Sequence, residues 1–411
     1  MKVPHINSRL NRTLSASGNV FQAFSVNSTQ LGETSETITG QGIIKTAGTV
    51  TATGLRIYLS SNTVTGGTTT FKSRVNNVDG GMSYTITAGA TGLLKVPSGS
   101  DTLADGDTFG YQLTVGTGGN IIIENYGCDL EDSTGVVNNI RIFPINTVTA
   151  STTTYANLGN FGEDEASTTE ANKQIKSPLG SVTWENFQTV MGTNARTTNT
   201  IIRARKNSSD LTYAQTITAT DDNVVLSDYT TQESVALDDL IGYSVTPSTG
   251  TGALALNNQV SQFKHATSWL VYAGTAGTGI TQNSALTRYS TGLSRLDAWT
   301  TEAQAQVQIN DAIRFSLPRI YLSANSINTG TITVNVRKNG STALTISITA
   351  GAGAGWSEQA VGSVDFAVGD LLSISIVTSG ASGSITTRAF VMKGEPIPTT
   401  TPFLAQVMAV T

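Results

Sequence analysis

Asp101, Asp105 and Asp107 crowd the segment DTLADGD, and three carboxylates that close together could hold a hard cation such as calcium. Their spacing argues against it, because they lack the alternating ligand positions and the terminal Glu of a calcium-binding loop. Other catalytic chemistry has little material. His5 and His265 are the only histidines, so a His-based proton relay is not expected. The chain has no G-x-S-x-G elbow, Walker loop, H-E-x-x-H or C-x-x-C. The single Cys128 rules out an intrachain disulfide framework and a Cys-rich zinc site, and it reads as a small buried hydrophobe. A glycosidase needs only two carboxylates, so the 29 Asp and Glu leave that chemistry open. The densest acidic stretch, FGEDEASTTE (Phe161–Glu170), reads as a solvated loop tip. GAGAG (Gly351–Gly355) joins two strands rather than opening a helix, so it is not a dinucleotide loop. No catalytic residue, cofactor or metal is assigned.

The elements that would position any site are strands. Thr, Ser, Gly, Asn, Val and Ile dominate, and this mixture suits pleated surfaces joined by tight turns. Apolar residues make up 38% and alternate with polar ones in short runs, which argues against disorder. The 24 Lys and Arg are scattered over a chain of net charge −5, so no basic stripe offers itself to nucleic acid. No stretch approaches the ~20 apolar residues of a membrane span, and no apolar segment follows the N-terminal charges as it would in a secretory signal. The expected site of synthesis is a cytoplasm, without export by the standard secretion route.

One unit is written three times. RIYLSSN (Arg56–Asn62) returns as RIYLSAN (Arg319–Asn325), with a drifted middle copy in FQTVMGTN (Phe187–Asn194). After each copy comes an Arg (Arg74, Arg205, Arg337), and then an acidic turn (Asp107, Asp239, Asp370) at intervals of 33, 34 and 33 residues. The turns Asn76-Asn77, Asn207-Ser208 and Asn339-Gly340 occupy one hairpin position, where positive φ is required. About eight short strands per unit predict an all-β protein of three tandem antiparallel jelly rolls. The boundaries read as an N-terminal arm at 1–17, repeats at 18–145, 146–265 and 266–395, and a tail at 396–411. Each unit opens on an aromatic-led strand, at Phe21, Tyr155 and Trp269. EAQAQVQIN (Glu302–Asn310) alternates and reads as a strand. Thr275–Leu296 is an insertion special to unit three. In the tail, Pro396, Pro398 and Pro402 precede an apolar FLAQVMAV that could add a strand to a neighbour's sheet edge.

The recurrent Arg and Asp read as structural before functional. An Asp opening a strand accepts hydrogen bonds from turn N–H groups, and a mid-strand Arg lies across a sheet face or bridges to the next domain. Tyr58 and Tyr321, at equivalent positions, read as core.

The motif VRKNGSTALTISITAGAGAG…VDFAVGDLLSISIVTSG (Val336–Gly380) resembles a jelly-roll module of tailed-bacteriophage virion proteins. It is also similar to the tumour-necrosis-factor-like heads that cap collagen-like surface fibres. All three units carry the pattern, and unit two departs from it at Thr220-Asp221 and Asp238-Asp239. The resemblance implies a non-enzymatic virion structural protein, a capsid decoration (cement) or fibre-type component. Its partners would be other virion proteins, such as major capsid or tail subunits, and it would be assembled in the host cytoplasm. It also implies heads that trimerise. Three copies in one chain could form that trimer as a pseudo-threefold monomer, self-associate, or sit as beads in a row. The alternative readings are a receptor-binding adhesin for host-surface glycan and, third, a glycan-degrading enzyme.

Overall fold

Two-residue alternation builds the strands, and it does so alike in successive units. Thr69–Val75 and Thr200–Lys206 share one succession of buried and half-buried residues; Val78–Ile86 and Ser209–Ile217 share another. The computed structural model describes residues 2–15, 18–23, 42–43, 48–96, 98–133, 137–143, 152–156, 167–222, 224–274, 280–283, 285–291, 296, 298–359, 361–380 and 382–397.

Unit one contains β1 (Lys2–Ser15), β2 (Gly18–Ala23), β3 (Gly42–Ile43), β4 (Val50–Asn62), β5 (Thr69–Val75), β6 (Val78–Ile86), β7 (Gly92–Lys95), β8 (Ser100–Leu103), β9 (Thr108–Val115) and β10 (Asn120–Asp132). Unit two contains β11 (Val137–Phe143), β12 (Thr154–Ala156), β13 (Ile175–Lys176), β14 (Val182–Asn194), β15 (Thr200–Lys206), β16 (Ser209–Ile217), β17 (Val225–Val235), β18 (Leu240–Pro247) and β19 (Leu254–His265). Unit three contains β20 (Trp269–Gly274), β21 (Ile280–Asn283), β22 (Leu286–Ser290), the short helix α1 (Glu302–Ala305), β23 (Val307–Gln308), β24 (Ile313–Asn325), β25 (Thr331–Lys338), β26 (Ser341–Thr349), β27 (Gly355–Glu358), β28 (Ser363–Phe366), β29 (Leu371–Thr378) and β30 (Ser384–Pro396).

Each unit folds into two antiparallel sheets of the same order. In unit one these are β1-β10-β4-β7, with β8 also on β4, and β2-β9-β5-β6, with β3 on β9. Units two and three repeat them as β11-β19-β14-β17 with β12-β18-β15-β16, and β20-β30-β24-β27 with β22-β29-β25-β26. First and last strands lie side by side, and the chain crosses between sheets in jelly-roll fashion. The protein is therefore all-β, with three tandem jelly rolls. An apolar core fills each sandwich, carried for example by Leu59 and Phe109, by Trp184 and Phe187, and by Phe315 and Ile374. Each such side chain contributes about 1.5–3 kcal/mol by leaving water.

Four expectations are corrected. Lys2–Ser15, read as an arm of no defined fold, is the edge strand β1, paired with β10 from Lys2↔Glu131 to Ser15↔Asn120. Main-chain pairing needs no apolar pattern, so its polar, basic letters concealed it. Val137–Phe143, placed in the first repeat, pairs with β19 and opens the second unit's sheet. Trp269 does not correspond to Phe21 and Tyr155: it lies on β20, the counterpart of β1, whereas β22 with Tyr289 is the counterpart of β2 and β12. Finally, EAQAQVQIN begins as helix α1 and only then becomes β23. The inward alternation is real from Ala305 through Val307 to Ile309, but Glu302 turns back to pair with Arg337 and breaks the strand before it. Residues 398–411 of the tail, 161–166 of the acidic stretch, and 275–279 and 292–295 of the insertion lie outside the described residues.

Candidate functional site

The recurrent Asp and Asn residues form one latch, built three times. Asp107, Asp239 and Asp370 each accept a backbone N–H three residues upstream, from Ala104, Ala236 and Ala367, all at 2.7 Å. Their other carboxylate oxygen accepts from Nδ2 of Asn76, Asn207 and Asn339 at 2.6–2.7 Å. Each Asn in turn accepts the N–H of the residue after the Asp, at 2.8–2.9 Å. These Asn residues hold φ of 48°, 51° and 51°, as a two-residue hairpin demands. The latch ties the β5–β6 hairpin and its copies to the turn before the neighbouring strand. In unit three the Lys338 ammonium, with Asn339 and the Ala367 N–H, holds Asp370 below the usual carboxylate range.

Asn62, Asn194 and Asn325, which end the repeated phrase, do similar work. Their Nδ2 groups donate to carbonyls of the loop after β6 and its copies: Thr87 and Ala90, Thr218 and Asp221, and Ala352. Their Oδ1 atoms cap the N–H two residues on.

Arg205 and Arg337 each clasp a glutamate that the sequence reading did not connect to them. Arg205 Nε lies 2.7 Å from Glu170, and Arg337 Nε lies 2.7 Å from Glu302; both guanidinium groups also cover a tyrosine ring, Tyr155 and Tyr289. The signal was present, since both glutamates stand 35 residues before their arginine. In unit one Arg74 pairs with Asp79. Burial pushes the Glu302 carboxyl up, but hydrogen bonds from Arg337 and from Ser373 Oγ at 2.7 Å outweigh this and hold it below its ordinary 4.5. A depressed acid stabilises the fold above its unfolded pKa and loses that contribution as pH falls through the folded value. Glu302→Gln should therefore cost about 1–2 kcal/mol at neutral pH. The gap between variant and wild type should shrink below pH 4.5. Urea midpoints at neutral pH and at about pH 3 check this; a gap independent of pH would refute it.

The repeated phrase has a second role on the opposite face of its strand. Two residues before Arg56, Gln188 and Arg319, the chain adopts positive φ at Gly54 (65°), Asn186 (55°) and Leu317 (51°). At each of these points two residues on one strand oppose a single residue on the next, Cys128, Ser261 or Met392, which is a β-bulge. The bulge aims the following side chain at a junction between units. Arg319, almost fully buried, donates to the Ser177 carbonyl at 2.6 Å and pairs with Asp238 at 2.6 Å, both in unit two. Glu358 lies 3.1 Å from both Arg319 and Lys176. Ala389 and Val391 complete the apolar core of unit two, with Tyr321 and Trp356 packed against it. Tyr321 thus lies at a junction rather than inside its own sandwich, and Tyr58 is its half-buried counterpart.

Unit one meets unit three through the same faces. Arg56, 1% exposed, grips Asp129 at 2.8 and 2.9 Å, and Asn310 of unit three donates to Asp129 at 2.8 Å. Glu124 accepts from Trp299 Nε1 at 3.0 Å and from Gln304 at 3.3 Å. A Cβ at Gly54 would stand 2.6 Å from Asn310 and 2.7 Å from Asp129, so glycine there permits both the bulge and the close approach. Gln188 replaces the arginine in unit two, and its buried amide has no hydrogen-bond partner among the described residues.

The remaining candidates do not converge. His5 opposes Cys128 in the β1–β10 register, whereas His265 ends β19 and accepts from the N–H groups of Thr267 (3.1 Å) and Ser268 (3.0 Å), with burial lowering its pKa. Cys128 is buried, which pushes its thiol up to about 12, and it accepts from the Tyr111 hydroxyl at 3.3 Å. Asp101 accepts from the Gly81 N–H, away from the Asp107 latch. Among the described residues no group of three or more His, Cys, Asp or Glu could hold a metal, and no helix is long and apolar enough to cross a membrane. Hydroxyls in the loops at one end of the units, such as Thr65, Thr198 and Ser382, are tied across to the facing loop.

Fold and junctions together define three covalently joined jelly rolls in which unit three packs against both of the others. No protein-family model and no curated protein matches the chain. Among solved structures it is similar to a chain described under the triple jelly roll fold and turret assembly of an archaeal virus, at 13% identity and TM-score 0.21, covering 96% of this chain and 90% of that one. It is also similar to a xanthan lyase from Paenibacillus, at 11% identity and TM-score 0.18, covering 96% of this chain and 51% of the lyase. At these scores neither likeness bears on function, and the jelly-roll class rests on the strand order.

Proposed function

We propose that this chain is a non-enzymatic virion structural protein, a decoration (cement) or fibre-type component that binds neighbouring capsid or tail subunits. The observation that carries this reading is where the recurrent residues go. The Asn–Asp latches, the asparagine caps and the Arg–Glu clasps are all engaged in turns and in packing. A chain that repeats its scaffold and not a site is built to present surface. The resemblance of Val336–Gly380 to tailed-phage virion modules supports the same reading.

We further propose that the units close as a pseudo-threefold monomer. One head-to-tail contact occurs twice: the sheet face of unit one meets the edge of unit three, and the face of unit three meets the edge of unit two. A repeated heterologous contact forms a ring when its rotation closes. Cryo-electron microscopy of purified particles, with mass spectrometry of their polypeptides, tests the assignment. The expected result is this chain bound to capsid or tail subunits. Particles lacking it, or saturable glycan binding by the free protein, would overturn the reading in favour of an adhesin or a non-virion role.

A further inference from the structure

The two junctions are built on one plan, yet their charges differ. In unit three, Arg319 faces Glu358 across the β24–β27 ladder, and in unit one Arg56 faces Lys95 across β4–β7. The second carboxylate on Arg319 comes from Asp238, one residue before the latch Asp239; the corresponding residue before Asp370 is Gly369. Both carboxylates that serve Arg319 are therefore missing at Arg56, one replaced by a cation and one by hydrogen. Asp129 compensates Arg56 alone, and Lys95 has no ion-pair or hydrogen-bond partner among the described residues. Like charges directly opposed across a ladder repel, and among the described residues Asp129 offsets the arginine while the exposed Lys95 is left without a counter-charge.

Open space adjoins Lys95. A pocket of about 300 Å³ opens at this junction, lined by Thr53, Lys95, Ser98 and Asp129 of unit one and by Asn310 and Val368 of unit three. A Cβ on Gly369 would come no nearer than 3.9 Å to the Gln308 amide, so there is room for a side chain, although the φ of +97° strains it, as the φ of 70° strains Asp238 at the other junction. Among the described residues neither Arg56 Nε nor Arg319 Nε has a hydrogen-bond partner, but Arg319 Nε lies 3.1 Å from the Glu358 carboxylate and Arg56 Nε has no second carboxylate beside it.

We propose that the pocket between units one and three is a carboxylate-binding site, in which Lys95, beside Arg56, receives from a ligand the anion that Glu358 and Asp238 supply at the other junction. Ser98 and Thr53 hydroxyls and the Asn310 amide line the remaining wall. The site takes one carboxylate, and its existence does not depend on the virion role.

The test uses the full chain, with sodium acetate and sodium glucuronate as probes against sodium chloride at equal ionic strength. In the wild type the unfolding temperature should rise saturably with either carboxylate, by about 2 °C at ten times the dissociation constant. Lys95→Glu restores the charge pattern of unit three, so it should unfold above the wild type and no longer respond. Gly369→Asp offers a second carboxylate from the other wall and should blunt the response in the same way. Equal effects of the two probes would show that the carboxylate alone is read; tighter glucuronate binding would show that its sugar is read as well. A wild-type response no larger than that to chloride, or a Lys95→Glu variant that responds like the wild type, would overturn the site.

Discussion

Asp129→Ala lowers the stability of unit one by about 3–5 kcal/mol, the cost of leaving a buried charge without its partner. Arg56 is 1% exposed and donates to both oxygens of Asp129, at 2.8 and 2.9 Å, and to the Gly54 carbonyl at 3.1 Å. Burial disfavours its charge, but Asp129 outweighs that and holds its pKa above the ordinary value, so the guanidinium cannot escape by deprotonating. The substitution therefore strands a cation between two units and also removes the acceptor for Asn310. Replacing both partners, as Arg56→Met with Asp129→Leu, removes the stranded charge and should recover most of the loss. Urea denaturation with hydrogen exchange read on β4 and β10 measures both effects. A single variant within about 1 kcal/mol of wild type would show that water reaches Arg56 and that the junction opens freely.

Features made by local chemistry were legible in the sequence, and those made by convergence were not. Asn339-Gly340 and Asp370 announce a hairpin and a strand-opening turn because each needs a particular residue type at one place. The latch between them was half visible: an acceptor role for the Asp was readable, whereas its Asn partner, some 31 residues away, is fixed only by the sheet. The bulge escaped notice because Gly54, Asn186 and Leu317 hold one conformation with three unrelated side chains, and Leu is a poor candidate for positive φ. The Glu170 and Glu302 clasps were hidden in stretches that looked like an acidic loop and an alternating strand. The junctions were least readable. Arg56 and Arg319 sit in almost identical phrases, yet Lys95 and Glu358 arrive from a later strand and give the two arginines opposite neighbours. Identical letters thus specify a shared fold and leave the interface to residues that the repeat does not conserve.

Trp184→Ala should cost about 3–5 kcal/mol, and the loss should not stay in the unit that carries it. The indole is fully buried, stacked on Phe263 at 5.3 Å and 17°, edge-on to Tyr243 at 5.1 Å, and in contact with Phe187 at 5.3 Å. Phe187 in turn stacks on Tyr213 at 4.0 Å, so the cavity would open at the hub of an aromatic cluster whose rings cannot all collapse into it. The same core includes Ala389 and Val391 from β30 of unit three, with Tyr321 packed against it. Those residues bring β30 and β24 into unit two's core, while Arg319 and Lys176 link the same two units by charge. Loosening the core around Trp184 should therefore lower protection in units two and three together. Unit one meets unit three through polar contacts at Glu124 and Asp129, so it should be affected less. Hydrogen exchange followed by mass spectrometry resolves the three units. Faster exchange in β14, β19, β24 and β30, with β4 and β10 little changed, is the expected pattern. Faster exchange confined to unit two would mean that the shared core packs the units side by side without coupling their unfolding.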